Sequence, residues 1–175
     1  MATKTKAPMD AIALLKEDHA TVRELLDELE KAAMKDGDEA ETLLETIEAE
    51  LKVHTTIEEE IFYPAFREAA SRKDDTKLYY EAVEEHHVVD MVLPELDKGE
   101  AGSPEFAAKA KVLKDLVEHH AGEEEKEMFP RARKLMDRNE LQTLGEQLAR
   151  RKRELKASAD GDAADEDAED EEDQD

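Results

Sequence analysis

The sequence contains no cysteine, few aromatic residues (4%) and no long apolar segment. Without cysteine, disulfides, thiolate metal sites and thiol nucleophiles are excluded. No apolar run approaches the roughly 20 residues that a membrane-spanning helix needs. The first ten residues, MATKTKAPMD, also lack the apolar stretch of a secretory signal. We therefore expect a cytoplasmic protein that does not enter a membrane.

Charge is abundant and mostly of one sign. Charged residues make up 42% of the 175, and the formal net charge is −24. Residues 157–175 hold 11 acidic residues and no basic one. Because such a chain repels phosphate groups, nucleic acid and anionic membranes are excluded as expected partners. The high content of Ala, Leu, Glu and Lys indicates a single helical domain with a thin core.

Apolar residues recur every three or four positions in four long segments, which predicts four amphipathic helices. The first begins at the N-cap Asp10. Pro64 should interrupt the second, because proline lacks a backbone donor and clashes with the preceding turn. The third covers about residues 74–98, and the fourth begins at Ser103 and continues to Pro130. We predict an all-α fold, an up-down-up-down four-helix bundle made of two hairpins, with an additional C-terminal helix.

The C-terminal helix is predicted between about residues 141 and 155, and its basic residues 150–153 are interpreted as complementing the helix dipole. Attraction of the acidic tail and binding of a partner are alternative roles for these residues. Residues 1–9 are expected to be a disordered lead, residues 10–156 the bundle, and residues 157–175 an acidic disordered tail.

The histidines fall into two matching sets, each a single His followed by a His-x-x-x-Glu pair. The six residues are His19, His54, Glu58, His86, His120 and Glu124. The single histidines lie 67 positions apart, and the segments HTTIEEEIFYP and HAGEEEKEMFP both run ten residues from His to Pro. This repeat implies two hairpins related by an approximate two-fold axis, with their repeated side chains facing each other.

The repeated side chains suit a metal centre. Residues four apart share one face of a helix, so each His-x-x-x-Glu pair presents imidazole and carboxylate together. A glutamate among apolar residues is costly unless it is paired or bound to metal. Imidazole and carboxylate ligands suit iron, zinc or manganese, and a site with open positions favours iron with oxygen chemistry over structural zinc. The alternative is ordinary His–Glu hydrogen bonds or solvated pairs without metal.

The order of the six residues on four helices resembles the hemerythrin-like, or HHE cation-binding, domain over about residues 10–150. The resemblance implies a non-haem di-iron centre, with Glu58 and Glu124 bridging the ions and the four histidines as terminal ligands. Ferritin-like bundles use Glu-x-x-His pairs instead. The sequence has one such pair, Glu84–His87, without a counterpart in the other half.

One position departs from the oxygen-carrying hemerythrins. Four residues after His86, where those proteins have another histidine ligand, this chain has Asp90. Asp90, another side chain or water would take that place. The resemblance then implies binding or turnover of dioxygen or hydrogen peroxide, including peroxide dismutation, or binding of nitric oxide, rather than reversible oxygen carriage. An iron- or oxygen-responsive sensor or interaction protein is the alternative function.

Four further residues lie near the proposed ligands in the sequence. His87 and His119 each neighbour a proposed ligand but lie about 100° around the helix, so we expect them to point away from the metal. Tyr63 and Phe129 precede the matching prolines and are expected to be core residues. For Tyr63, lining the metal pocket is the alternative.

Overall fold

The computed structural model describes residues 9–35 and 37–169, with side chains described as far as residue 159. The α-helices are α1 (Ala11–Ala32), α2 (Gly37–Ile57), α3 (Tyr63–Ala69), α4 (Lys73–Asp97), α5 (Pro104–Glu123), α6 (Phe129–Leu135) and α7 (Arg138–Glu169). Two short π-helices, π1 (Glu58–Phe62) and π2 (Glu124–Met128), join α2 to α3 and α5 to α6. The predicted all-α bundle with an additional C-terminal helix is confirmed.

The helix ends follow from local chemistry. The side chain of Asp10 accepts a hydrogen bond from the Ala13 N–H at 2.9 Å, and Ser103 Oγ accepts one from the Phe106 N–H at 3.1 Å. These are the N-caps that the sequence predicts. Pro64 and Pro130 each lie in the first turn of the α-helix that follows a π-helix. The interruption expected at Pro64 is thus a change to π-helical hydrogen bonding directly before the proline.

The bundle has two apolar regions with the histidines between them. One contains Leu15, Ile57, Ala82 and Met128, and the other contains Val22, Leu51, Val89 and Val117. Along the chain, each proposed histidine ligand stands between a residue of one region and a residue of the other; for His120 the second of these, Met128, lies in π2 directly after α5. The packing of both regions therefore holds the four histidines at one level of the bundle.

The C-terminal helix is longer than predicted. α7 packs on α1, α2 and π1, and its backbone remains helical to Glu169, whereas disorder was expected from residue 157. Alanine, the best helix former, supplies five of residues 157–169, and extending an existing helix costs much less than nucleating one. Residues 150–153 therefore lie within the helix and not at its end, so their interpretation as a dipole complement is wrong. Most of the expected lead and residues 170–175 lie outside the described residues.

None of the helices in the described part of the chain combines the length and apolar character needed to cross a lipid bilayer.

Candidate metal centre

All six repeated residues meet in the middle of the bundle. His19 comes from α1, His54 from α2, His86 from α4 and His120 from α5. Glu58 and Glu124 are the first residues of π1 and π2. The exposed fractions of these six residues lie between 0% and 5%. π-helical turns within α-helices are frequent at functional sites, and here both begin at the repeated glutamate.

Each glutamate contacts one histidine from each hairpin. Glu58 Oε2 lies 3.2 Å from His54 Nε2 and 3.3 Å from His86 Nε2. Glu124 Oε2 lies 3.2 Å from His19 Nε2 and 3.6 Å from His120 Nε2. The two carboxylates thus stand between two pairs of histidines, which is the arrangement that two shared ligands require.

The ligand atoms form two overlapping groups. Those of His19, His54, Glu58 and Glu124 all lie within 4.8 Å of one another, as do those of Glu58, His86 and His120. Several buried atoms at the centre lack a hydrogen-bond partner: His19 Nε2, His54 Nε2, Glu58 Oε1, and Glu124 Oε1 and Oε2. Buried polar atoms without partners are costly. Cations at the centre would satisfy them, so this donor set fits metal.

The charges at the centre favour the same conclusion. Burial and the neighbouring Glu124 carboxylate raise the pKa of Glu58 well above its usual range. Burial also acts to raise the pKa of Glu124, but the His19 imidazole, whose Nε2 lies 3.2 Å from Glu124 Oε2, and the other nearby imidazoles outweigh it and bring that pKa to about 2. Burial lowers the pKa of His54 to about 4, which keeps it in the neutral form that binds metal. A cation between the glutamates would stabilise both as carboxylates.

A second layer of carboxylates, which was not predicted from the sequence, stands behind the histidines. The distances from each histidine Nδ1 to a carboxylate oxygen are 3.0 Å for His19–Glu125, 2.8 Å for His86–Glu59, 2.9 Å for His120–Glu85 and 3.7 Å for His54–Asp18. A carboxylate behind the ring of a metal-binding histidine fixes the ring's orientation and tautomer. All four imidazoles therefore present Nε2 to the centre.

The sequence repeat contains a signal for these carboxylates. Asp18 and Glu85 each directly precede a single histidine, and Glu59 and Glu125 each directly follow a repeated glutamate. Extending the comparison of the two halves by one residue on either side of the ligands would have found all four. Because the chain is so rich in acidic residues, an acidic residue next to a proposed ligand is informative only when it occurs at the same place in both halves.

Tyr63 is both a core residue and part of the centre. Its hydroxyl lies 3.3 Å from Glu58 Oε2 and 3.3 Å from His86 Nε2, and its ring stacks on His86. Burial and the carboxylates of Glu124 and Glu58 raise the pKa of Tyr63 well above its usual range, so the hydroxyl keeps its proton. At the matching position, Phe129 stacks on His19 without offering a hydroxyl. The pocket-lining alternative for Tyr63 agrees with this geometry.

Asp90 does not reach the centre. Its side chain is exposed and belongs to neither group of ligand atoms, so its interpretation as an additional ligand is not supported by the structure. Asp90 occupies the same place in the repeat as Arg23. The side chain of Arg23 lies at the rim of the bundle, where Nη1 donates to Glu125 at 2.7 Å. In both halves, the side chain four residues after the single histidine therefore faces outward.

The neighbouring histidines also lie at the surface. The side chains of His87 and His119 are 65% and 62% exposed. His119 Nε2 lies 3.4 Å from Glu85 and 3.5 Å from Glu123. These positions agree with the predicted register of α4 and α5.

A small cavity adjoins the histidines. Its volume is about 20 Å³, enough for a molecule the size of water. Apart from the histidines, it is lined by Val22, Leu51, Thr55, Val89, Val117 and Ala121. The space beside the centre is therefore narrow and mostly apolar, and it admits small molecules only.

The sequence model of the family "Hemerythrin HHE cation binding domain" matches residues 10–132. The chain belongs to this family. Membership and the two groups of His and Glu ligands together indicate that this HHE-domain protein binds metal.

Three relatives place this HHE-domain protein among known sequences and structures. The crystal structure of a hemerythrin HHE cation-binding domain-containing protein from Mycobacterium kansasii, a homologue of Rv2633c, superposes with a TM-score of 0.75 and 31% identity, covering 86% of this chain and 90% of that one. Uncharacterized protein Rv2633c of Mycobacterium tuberculosis is 28% identical over 151 residues, 86% of this chain and 89% of that protein. A DNA nickase of Nostoc sp. is 27% identical over 124 residues, 71% of this chain and 34% of that protein.

Proposed function

We propose that this HHE-domain protein is a non-haem di-iron protein that binds or turns over a small oxidant. Glu58 and Glu124 would each bind both ions. His19 and His54 would hold one ion, and His86 and His120 the other. The observation that carries this proposal is that each glutamate contacts one histidine from each hairpin.

The surroundings favour a small substrate. Iron bound at the centre supplies redox chemistry suited to dioxygen or hydrogen peroxide, and it also offers a position for nitric oxide. The narrow apolar cavity excludes larger molecules and bulk water. The protonated hydroxyl of Tyr63 lies beside His86 and can donate a hydrogen bond to an oxidant there. Among the candidate reactions we favour the dismutation of hydrogen peroxide to water and dioxygen.

Anaerobic loading with Fe²⁺ tests this proposal. We expect about two irons per chain, oxidation in air without reversible oxygen uptake, and gas evolution after hydrogen peroxide is added. Metal analysis, absorbance spectra and an oxygen electrode measure these three results. Protein that takes up and releases oxygen over many cycles and ignores peroxide would favour carriage instead. Protein that binds no iron would support a structural bundle held by His–Glu hydrogen bonds.

The sensor function has less support. It needs an output, and the candidates are the acidic tail and the basic residues of α7. Arg151 donates to Glu60 at 2.7 Å, and Lys152 donates to Asp18, so both bind within the protein. The cytoplasmic location remains a prediction.

A further inference from the structure

The C-terminal helix α7 begins after the part of the chain that the family model matches, residues 10–132. Buried Leu141 and Leu148 pack it against the apolar region that contains Leu15 and Ile57. Three of its basic side chains reach other helices: Arg151 to Glu60, Lys152 to Asp18 and Lys156 to Glu50. α7 is therefore attached to the bundle by both apolar packing and ion pairs.

Lys152 differs from the other two because its partner stands behind a histidine of the metal centre. Lys152 Nζ donates to Asp18 Oδ1, and the other oxygen, Oδ2, lies 3.7 Å from His54 Nδ1. Asp18 is only 6% exposed, and both Asp18 Oδ2 and His54 Nδ1 are buried without a hydrogen-bond partner. One oxygen of the carboxylate is thus held by α7, while the other faces the imidazole.

Glu85, the residue of the second hairpin that matches Asp18, has no such lysine partner among the described residues. Glu85 accepts a full hydrogen bond from His120 Nδ1 at 2.9 Å. Within the described residues, no lysine or arginine lies within ion-pair distance of Glu85, whose other neighbour is His119. Aspartate is one methylene shorter than glutamate, so Asp18 stops short of His54. Its carboxylate therefore depends on a third group to keep it facing the imidazole.

We propose that Lys152 is a positioning residue for the metal centre. It fixes the Asp18 carboxylate, Asp18 orients His54, and metal binding at the His19–His54 position is thereby coupled to the docking of α7. This inference rests on the proposed two-metal site. Partners behind metal-binding histidines typically contribute about 10–100-fold to metal affinity. Lys152 acts through Asp18, so its contribution belongs at the lower end of that range.

Titration of the full-length apoprotein with Co²⁺ alone, followed by visible absorbance, tests the inference. We expect Lys152→Met to weaken binding of one of the two Co²⁺ ions about tenfold and to alter its absorption spectrum, while the other ion binds normally. Lys152→Arg should restore most of the affinity and the spectrum. The matched control is Lys156→Met, which removes a basic residue of the same helix whose partner, Glu50, does not contact a histidine.

A double-mutant cycle separates positioning from general loosening of α7. Asp18→Asn should weaken binding of the same Co²⁺ ion. Adding Lys152→Met to Asp18→Asn should cause no further loss of affinity, because Lys152 acts only through Asp18. Additive losses, or equal behaviour of Lys152→Met and Lys156→Met, would overturn the inference while leaving the two-metal proposal intact. If the wild-type protein binds no Co²⁺, the two-metal proposal and this inference both fail.

Discussion

The two hairpins carry the same proposed ligands but differ in what surrounds them. The first hairpin comprises α1, α2, π1 and α3, and the second comprises α4, α5, π2 and α6. Each hairpin sends its aromatic residue to the other one: Tyr63 stacks on His86, and Phe129 stacks on His19. The repeat therefore determines where the metals would bind, while the residues that do not repeat make the two positions unequal.

The hairpins also differ in charge compensation. Behind His19, Glu125 is paired with Arg23, and behind His54, Asp18 is paired with Lys152. Glu59 and Glu85, behind His86 and His120, have no lysine or arginine within ion-pair distance among the described residues. The His86–His120 position is thus the more anionic one, and it alone has a tyrosine hydroxyl.

The largest effect should come from the residues that the two positions share. Glu58→Ala and Glu124→Ala should each abolish binding of two metal ions, because each carboxylate contacts a histidine from both hairpins. Since metal binding stabilises the folded chain, the rise in unfolding temperature on adding metal should also disappear. Metal analysis and circular dichroism measure both results. Two irons retained in both variants would refute the shared-ligand assignment.

Removal of one histidine should affect one position only. His86→Ala and His120→Ala should each reduce iron content toward one ion per chain, whereas His87→Ala and His119→Ala should leave it unchanged. The buried and exposed members of each pair differ in whether they face the centre. Iron analysis of all four variants compares ligand and neighbour directly. A reversed pattern in either pair would show a register error of one residue in that helix.

The hydroxyl of Tyr63 provides a smaller test. Tyr63→Phe should keep both irons but slow peroxide turnover about tenfold, the loss expected when one hydrogen bond of roughly 1.4 kcal/mol is removed. Oxygen evolution and iron content measure this result. Phe129→Tyr is the matched control, because it adds a hydroxyl beside His19. Equal turnover by wild type and Tyr63→Phe would mean that the hydroxyl is only a core feature.

Stability also distinguishes the two hairpins. Buried Asp75 at the start of α4 accepts hydrogen bonds from Arg131 at 2.5 and 2.9 Å, whereas Asp10, before α1, forms an exposed pair with Arg133. Asp75→Asn should lower the free energy of unfolding at pH 7 by about 2 kcal/mol, and Arg133→Met by less than about 1 kcal/mol. Denaturant unfolding compares the two variants. Equal losses would show that burial of the pair is unimportant.

The effect of Asp75→Asn should depend on pH. The hydrogen bonds from Arg131 bring the pKa of Asp75 from its ordinary 3.8 to about 2. A depressed folded-state pKa means that the stabilisation is fully present above the ordinary pKa and is lost as pH falls toward 2. The difference between wild type and Asp75→Asn should therefore shrink between pH 4 and pH 2. A difference that stays constant across this range would contradict the assignment.

The smallest effect should follow truncation after Lys156. Residues 157–175 contain no apolar residue larger than alanine, and Lys152 remains in the shortened chain. Iron content should be unchanged, and helicity should fall only by the residues removed from α7. Metal analysis and circular dichroism measure this outcome. Loss of iron would show that the tail contributes to the centre.

The sequence by itself determined the all-α fold and identified the six side chains that meet at the centre. Apolar periodicity and the caps Asp10 and Ser103 are local signals, so they predict the helices without knowledge of the neighbouring helices. The repeated His and Glu spacing added a long-range constraint, because two equal halves are expected to face each other. The sequence could not show that Asp90 is exposed, since how deeply a residue one turn beyond His86 is buried depends on the packing of α4 against the other helices.

Only the tertiary structure decided which side chains touch across the bundle. The contact of Tyr63 with His86, the pairing of Arg23 with Glu125 and the reach of Lys152 to Asp18 all join segments far apart in the chain. No periodicity within one helix encodes such pairs, because they depend on how α1, α4 and α7 are rotated and shifted against each other. The proposed ligands are therefore visible in the sequence, but the inequality of the two positions is a property of the packed bundle.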